Sequence, residues 1–116
     1  MGQERDKVEI ARRRAARLET LASLDGLRHV LCEPARLALL GALEGEPLTV
    51  GELASAIRRK LPATSQHLRA LRSLGLVAGE RRGTAVYYRL APGPLGEQVR
   101  AMVTALEAAD LAARSR

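Results

Sequence analysis

Between Leu48 and Leu90 the spacing of apolar residues changes once, and that change constrains what the chain can fold into. Leu53, Ala54 and Ile57, and then Thr64, Leu68 and Leu71, recur at the three- and four-residue intervals of helices buried on one side. Leu76-Val77 and the run from Ala85 to Leu90 have instead the β-branched and aromatic content of strands, joined across Glu80-Arg81-Arg82-Gly83. A turn through Arg58-Arg59-Lys60 separates the helices, and Gly75 is placed to end the second. Thr49 and Glu52 stand at capping-box spacing at the start of the first. The expected fold is mainly α with a small β-hairpin.

Charge is concentrated on the same stretch. Arg58, Arg59, Lys60, Arg69, Arg72, Arg81, Arg82 and Arg89 face Glu80 alone, a net of +7, whereas the whole chain carries +6 and the remainder therefore −1. A cationic surface confined to two helices and a hairpin points to a polyanionic partner, double-stranded DNA before any other. A membrane partner is not expected, because no apolar run approaches the roughly 20 residues needed to span one.

The rest of the chain supplies helices. Val8, Ala11, Ala15, Leu18 and Ala22 predict an amphipathic helix over 4–24, and Asp25-Gly26 a stop after it. Pro34 fits the first turn of a helix from about Glu33 to Leu43 with Leu37, Leu40 and Leu43 on its core face. Beyond Pro92-Gly93-Pro94, residues Leu95, Val99, Met102, Leu106, Ala109 and Ala113 repeat at heptad spacing over 95–113. With no Trp, no Phe and only two Tyr, the core must be aliphatic. A single domain over 1–116 cannot cover both terminal apolar stripes by itself, so the two helices are expected to pair with their copies in a symmetric homodimer; wrapping the monomer core is the alternative. The chain is charged from Glu4 on, so no secretory leader is expected, and Asp6 stands where myristoylation requires Ser or Thr. A single cysteine, Cys32, cannot form an internal disulfide; the cytoplasm is the expected compartment, although the cysteine count alone does not decide it.

Five segments in register resemble the ArsR/SmtB family of bacterial winged helix-turn-helix regulators. Glu33-Pro34-Ala35-Arg36-Leu37 is similar to the family's "DPTRL" element, and Thr49 to Ala54 to its "CVCELA" element. Pro62 to Leu68 is similar to "PAVSQHL", Leu74-Gly75-Leu76-Val77 to "AGLV", and the run from Arg82-Gly83 to Tyr88-Arg89-Leu90 to "REGRWVYYRL". The resemblance covers about residues 27 to 91. It implies a winged helix-turn-helix over 48–90, dimerising through the N- and C-terminal helices. It also implies a sequence-specific transcriptional regulator, a repressor on an inverted-repeat operator.

In the resembling family the helix beginning near Pro62 enters the major groove. Gln66 is the base-edge candidate, because its amide can bond an adenine bidentately. Ser65 suits phosphate or base, Arg69 a phosphate or guanine edge, and Thr64 is assigned mainly to packing. Ala63 points outward, His67 divides between a DNA contact and a hydrogen-bonded structural histidine, and Lys60 replaces a capping Ser with a cation. Arg81 and Arg82 at the hairpin tip are expected over phosphates or in the neighbouring minor groove. The Arg12-Arg13-Arg14 run is interleaved with acids and reads as an exposed helix face.

The family's sensing sites do not carry over. Thr49 and Gly51 fill both cysteine positions of its thiolate site, and the final helix has Glu97, Glu107 and Asp110 but no histidine. No cofactor is expected. His29, Cys32 and Glu33, at i, i+3 and i+4, could gather on one face as a Ni or Zn site; the bland alternative makes Cys32 a small buried hydrophobe. A metal- or thiol-responsive regulator, an organic or protein effector, and a winged helix used for protein contact are the alternatives. The chain has no His-Glu-x-x-His run, phosphate loop or nucleophile elbow, so an enzyme is not expected.

Overall fold

The computed structural model describes residues 2–20, 28, 30 and 32–115. The chain divides into two compact units, Met1–Cys32 and Glu33–Arg116. In the first, α1 runs from Gly2 to Thr20; the expected continuation to residue 24 and the Asp25-Gly26 stop lie outside the described residues. Val8, Ile10 and Leu18 on α1 are each more than half exposed. Glu9 pairs with Arg12 and Arg13 on its surface, as the interleaved charges predict.

The second unit begins with α2, Pro34–Ala42. It continues through a two-residue strand β1, Leu48–Thr49, and the helices α3, Val50–Ile57, and α4, Leu61–Ser73. Strands β2, Val77–Arg82, and β3, Ala85–Leu90, form a hairpin, and α5 closes the unit from Pro94 to Arg114. The core is aliphatic: Ala35, Leu39, Leu40 and Leu43 around α2, Leu53 and Ala54 on α3, Leu68 and Leu71 on α4, Leu76, Val77 and Leu90 from the hairpin, and Val99 and Val103 on α5. Leu39, absent from the expected core face of α2, is fully buried, while the expected Leu37 is half-buried. In a run as apolar as Leu37 to Leu40 the periodicity leaves the direction of the buried stripe undetermined.

Local chemistry explains where the elements stop. Thr49 caps α3 in a full capping box: its Oγ1 accepts from the Glu52 N–H at 3.2 Å, and Glu52 Oε1 accepts from the Thr49 N–H at 2.9 Å. Helix α4 ends in a Schellman motif, in which the Leu76 N–H donates to the Leu71 carbonyl and the Gly75 N–H to the Arg72 carbonyl, both at 3.0 Å. Gly75 takes φ +77° there. The same pair of bonds closes α3, from Arg59 N–H to the Ala54 carbonyl and from Arg58 N–H to the Ser55 carbonyl, but the left-handed position is occupied by Arg58 at φ 57°, ψ 49°.

The sheet differs from the expected two-stranded hairpin in three ways. A third strand joins it, with order β1-β3-β2 and Thr49 opposite Tyr87. Strand β2 extends to Arg82, so the loop is Gly83-Thr84 and not the stretch from Glu80 to Gly83. Gly83 has φ +64° and Thr84 does not share a positive φ, the pattern of a type II′ turn. Register then separates two residues expected to act together: Arg81 pairs with Val86 and Arg82 with Ala85, on opposite faces of the ribbon.

The heptad stripe expected along α5 is also shifted. The buried line is Gly96, Val99 and Val103, with Leu95 and Met102 half-buried and Leu106, Ala109 and Ala113 exposed. Gly96 explains the shift, since a Cβ there would lie 1.6 Å from the Ala91 carbonyl oxygen, so the helix turns its glycine toward that backbone. Thr104 Oγ1 donates to Glu44 Oε1 at 2.8 Å, tying α5 to the turn after α2.

Candidate nucleic-acid interface

Helix α4 has two chemically distinct sides. Thr64, Leu68 and Leu71 are buried, and Ala63, Gln66, Arg69 and Arg72 are exposed. This is the division that their three- and four-residue spacing requires. Arg58, Arg59 and Lys60, in the turn that leads into α4, are exposed as well, as are Arg81, Arg82 and Arg89 on the hairpin. All eight cations of the +7 segment thus remain on the surface.

The surroundings of two candidate residues bear on the roles expected of them. Thr64 has no exposed surface, and its hydroxyl donates to the Lys60 carbonyl at 2.9 Å. It packs and closes the first turn of α4, so it leaves the set of contact candidates. His67 is half-buried, and its Nδ1 accepts from Arg36 Nε at 3.4 Å. The histidine therefore joins α4 to α2 through a long hydrogen bond, the structural role weighed for it above. Arg36 had no assigned role in the sequence, because the contact bridges segments 31 residues apart. Lys60 stands at the N-cap of α4 without a side-chain cap bond, in keeping with its replacement of a capping Ser.

At the wing tip, Arg82 is less free than Arg81. Its guanidinium lies 5.1 Å from the centre of the Tyr87 ring and 3.6 Å from Glu80, all three on one face of the ribbon. Arg81, on the opposite face, makes no ion pair with a described residue. On that same face the Tyr88 ring lies across Gly79, where an added Cβ would come within 3.3 Å of Tyr88 Cε1 and 3.2 Å of Val86 Cγ1. Between α4 and this sheet is a hollow of about 160 Å³ lined by Val50, Ser65, Leu68, Arg69, Arg72 and Tyr88. Sequence alone gave no sign of it, although Ser65, Arg69 and Arg72 fall at i, i+4 and i+7; the missing piece was the pairing that brings Tyr88 opposite them.

Among the described residues no group of three or more His, Cys, Asp or Glu is placed to hold a metal ion. Cys32 is exposed, not the buried hydrophobe of the alternative reading, Glu33 precedes α2 without capping it, and His29 lies outside the described residues. The thiolate positions are closed to soft metals: Thr49 is the cap of α3, its hydroxyl engaged by Glu52, and Gly51 has no side chain.

The family model described as a helix-turn-helix domain matches residues 31–80. The cadmium resistance transcriptional regulatory protein CadC of Listeria innocua is 36% identical over 84 residues, a match covering 72% of this chain and 70% of CadC. A solution structure from Mycobacterium bovis, described as the homodimeric winged helix-turn-helix DNA-binding domain of a possible ArsR-family transcriptional regulator, superimposes with a TM-score of 0.67 at 30% identity. It covers 90% of this chain and 91% of that one. The chain belongs to the ArsR/SmtB family of winged helix-turn-helix transcriptional regulators. The transcriptional regulator NmtR of Mycobacterium tuberculosis is 40% identical over 72 residues, 62% of this chain; the chain spans 60% of NmtR's length. In this ArsR/SmtB-family chain α4 is the second helix of the helix-turn-helix and the hairpin is the wing. No helix of the described residues is long and apolar enough to cross a membrane.

Proposed function

We propose that this ArsR/SmtB-family chain is a cytoplasmic, non-enzymatic repressor that binds double-stranded DNA as a homodimer on an inverted-repeat operator. The observation that carries the proposal is the two-sidedness of α4, which buries Thr64, Leu68 and Leu71 and leaves Ala63, Gln66 and Arg69 outward beside exposed cations. A helix presented this way fits the major groove, with its first turns at the base edges. Gln66 reads an adenine edge, Ala63 meets a thymine methyl, and Ser65 and Arg69 reach phosphate or base. Lys60, Arg81 and Arg82 neutralise backbone phosphates. Two features support the homodimer. Val8, Ile10 and Leu18 on α1 and Leu106 and Leu111 on α5 are large apolar side chains exposed to water. Between α2 and α5 lies an apolar groove of about 410 Å³ lined by Leu37, Ala38, Gly41, Val103 and Leu106 among others.

A second reading, regulation by Ni or Zn, rests on the metal association in the name of CadC and on His29, Cys32 and Glu33. It does not extend to a cadmium-type thiolate pair on α3, for the chemical reasons given above.

Selection of bound duplexes from a random pool, with and without added Ni and Zn, tests both readings. The expected product is an inverted repeat whose half-sites lie about 34 Å apart along the duplex. Gln66→Ala should cost roughly 1–3 kcal/mol and relax preference at one position of each half-site. A pool that shows no enrichment, or a uniform loss over all sequences in the variant, contradicts the assignment. Selection unaffected by either ion removes the second reading.

A further inference from the structure

We infer that the hollow between α4 and the wing seats a phosphoryl group, and that on DNA this group is one backbone phosphate of each half-site, held by Arg72, Tyr88 and Ser65 beside Arg69. The inference rests on the DNA-binding reading and extends it to Arg72 and Tyr88, two residues with no role in it so far. Four observations carry it. The hollow is concave and small, about 160 Å³, with two arginines in its lining and no carboxylate. Neither Arg69 nor Arg72 makes an ion pair with a described residue, whereas Arg82 has Glu80 and Arg114 has Asp110. The hydroxyls of Ser65 and Tyr88 make no hydrogen bond to a described residue, so both remain available as donors. Finally, the Tyr88 ring is seated across Gly79, where an added Cβ would crowd it at 3.3 Å.

Convergent guanidinium and hydroxyl donors around a pocket of this size suit a tetrahedral oxyanion. Ser65, Arg69 and Arg72 lie along one flank of α4, beside the outward Gln66. A helix with Gln66 at the base edges therefore carries this flank along the sugar-phosphate backbone. The wall contributed by Tyr88 of β3 is rigidly placed, since β3 pairs with both β1 and β2. The clamp spans two elements, so it also fixes the angle between reading helix and wing on the duplex.

The test measures duplex affinity against salt concentration for the full chain, Arg72→Gln and Tyr88→Phe, on an operator selected as above. Arg72→Gln is exposed and should fold; it is expected to weaken binding on the order of tenfold per half-site. It should also reduce the slope of log affinity against log salt by about 0.9 per phosphate contacted. Tyr88→Phe removes a neutral donor, so it should weaken binding by roughly two- to tenfold with the slope unchanged. Ethylating single phosphates should interfere at several positions per half-site in the wild type, and at one of them the interference should disappear in Arg72→Gln. Wild-type affinity and slope in both variants, on a duplex the wild type binds, overturns the clamp and leaves the DNA reading standing. If no duplex is bound by the wild type, the DNA reading fails first. Protein alone titrated with inorganic phosphate is the remaining arm: saturable shifts of the Tyr88 ring signals at millimolar phosphate, with no ethylation interference, would make this a free-anion site and overturn the assignment to the DNA backbone.

Discussion

Replacing Arg58 by glycine is expected to raise the stability of this winged helix-turn-helix chain and lower its affinity for DNA in one step. Arg58 holds φ 57°, ψ 49°, the one positive φ among the described residues other than glycine. A side chain with a Cβ in that region costs about 1–2 kcal/mol. Glycine avoids this cost but loses about 0.5–1 kcal/mol through its greater freedom in the unfolded chain. The net expectation is a gain of about 0.5–1 kcal/mol, or roughly 2–4 °C in melting temperature for a domain of this size. Gly75 is the internal comparison, because it holds the same place in the same motif at the end of α4. A Cβ there would meet only Leu95 Cδ2 at an ordinary 3.8 Å, so Gly75→Ala should lose about 1 kcal/mol for conformational reasons alone. Arg58→Ala keeps the strained Cβ and removes the charge. It should reproduce the affinity loss of Arg58→Gly without the gain in stability. Thermal melts at one fixed protein concentration separate the effects, since dimerisation makes the midpoint concentration-dependent. An Arg58→Gly protein that melts no higher than Arg58→Ala refutes the argument from strain. If both variants retain wild-type affinity and salt slope, Arg58 does not contact the duplex.

Gly96→Ala should be the most damaging alanine substitution among the described glycines, because its Cβ would lie 1.6 Å from the Ala91 carbonyl oxygen, a backbone atom that cannot rotate away. A loss of about 3 kcal/mol is expected by denaturant titration; Gly45→Ala, with nothing within 4 Å, serves as the neutral control, and equal midpoints for the two would refute the close approach. Thr64→Val should change stability by less than about 1 kcal/mol: a hydrogen bond to the Lys60 carbonyl is lost, but that carbonyl keeps the Thr64 N–H at 3.0 Å and a methyl replaces a buried hydroxyl. DNA affinity should be unchanged, and a large loss in a stably folded variant would return Thr64 to the contact surface.

Much of this architecture was legible because it depends on neighbours in sequence. The capping box at Thr49 and Glu52, the glycine stop at Gly75, the buried triplet Thr64, Leu68 and Leu71, and the outward Gln66 and Arg69 all follow from spacing within one turn or two. What was not legible depends on partners distant in the chain. The strand at Leu48–Thr49 is too short to have a period, and exists because Tyr87 and Tyr88 pair with it. The hairpin loop was misplaced because Glu80, Arg81 and Arg82 resemble turn residues in composition, while register carries β2 through them to Gly83. The stripe of α5 slid by one residue because a glycine was needed against Ala91, which a count of apolar residues ignores. The hydrogen bond from Arg36 to His67 spans 31 residues, beyond the reach of local spacing.

The same distinction bears on how the interface is held in shape. Residues that would touch DNA are exposed and make few contacts with the protein, so the distance between reading helix and wing must be set from behind. The Schellman bonds do this, carrying Leu71 of α4 directly into Leu76 and Val77. Leu71, Leu76 and Val77 are all buried, so the junction between α4 and β2 is part of the core and not a hinge. The junction is closed by glycine and the turn into α4 by an arginine in the left-handed region, so the two ends of α4 differ in backbone strain by the cost of one Cβ. The end that would present Gln66 is entered through a left-handed residue that carries a cation. That is the arrangement expected where a charge beside the helix is worth more to binding than a relaxed turn is to folding.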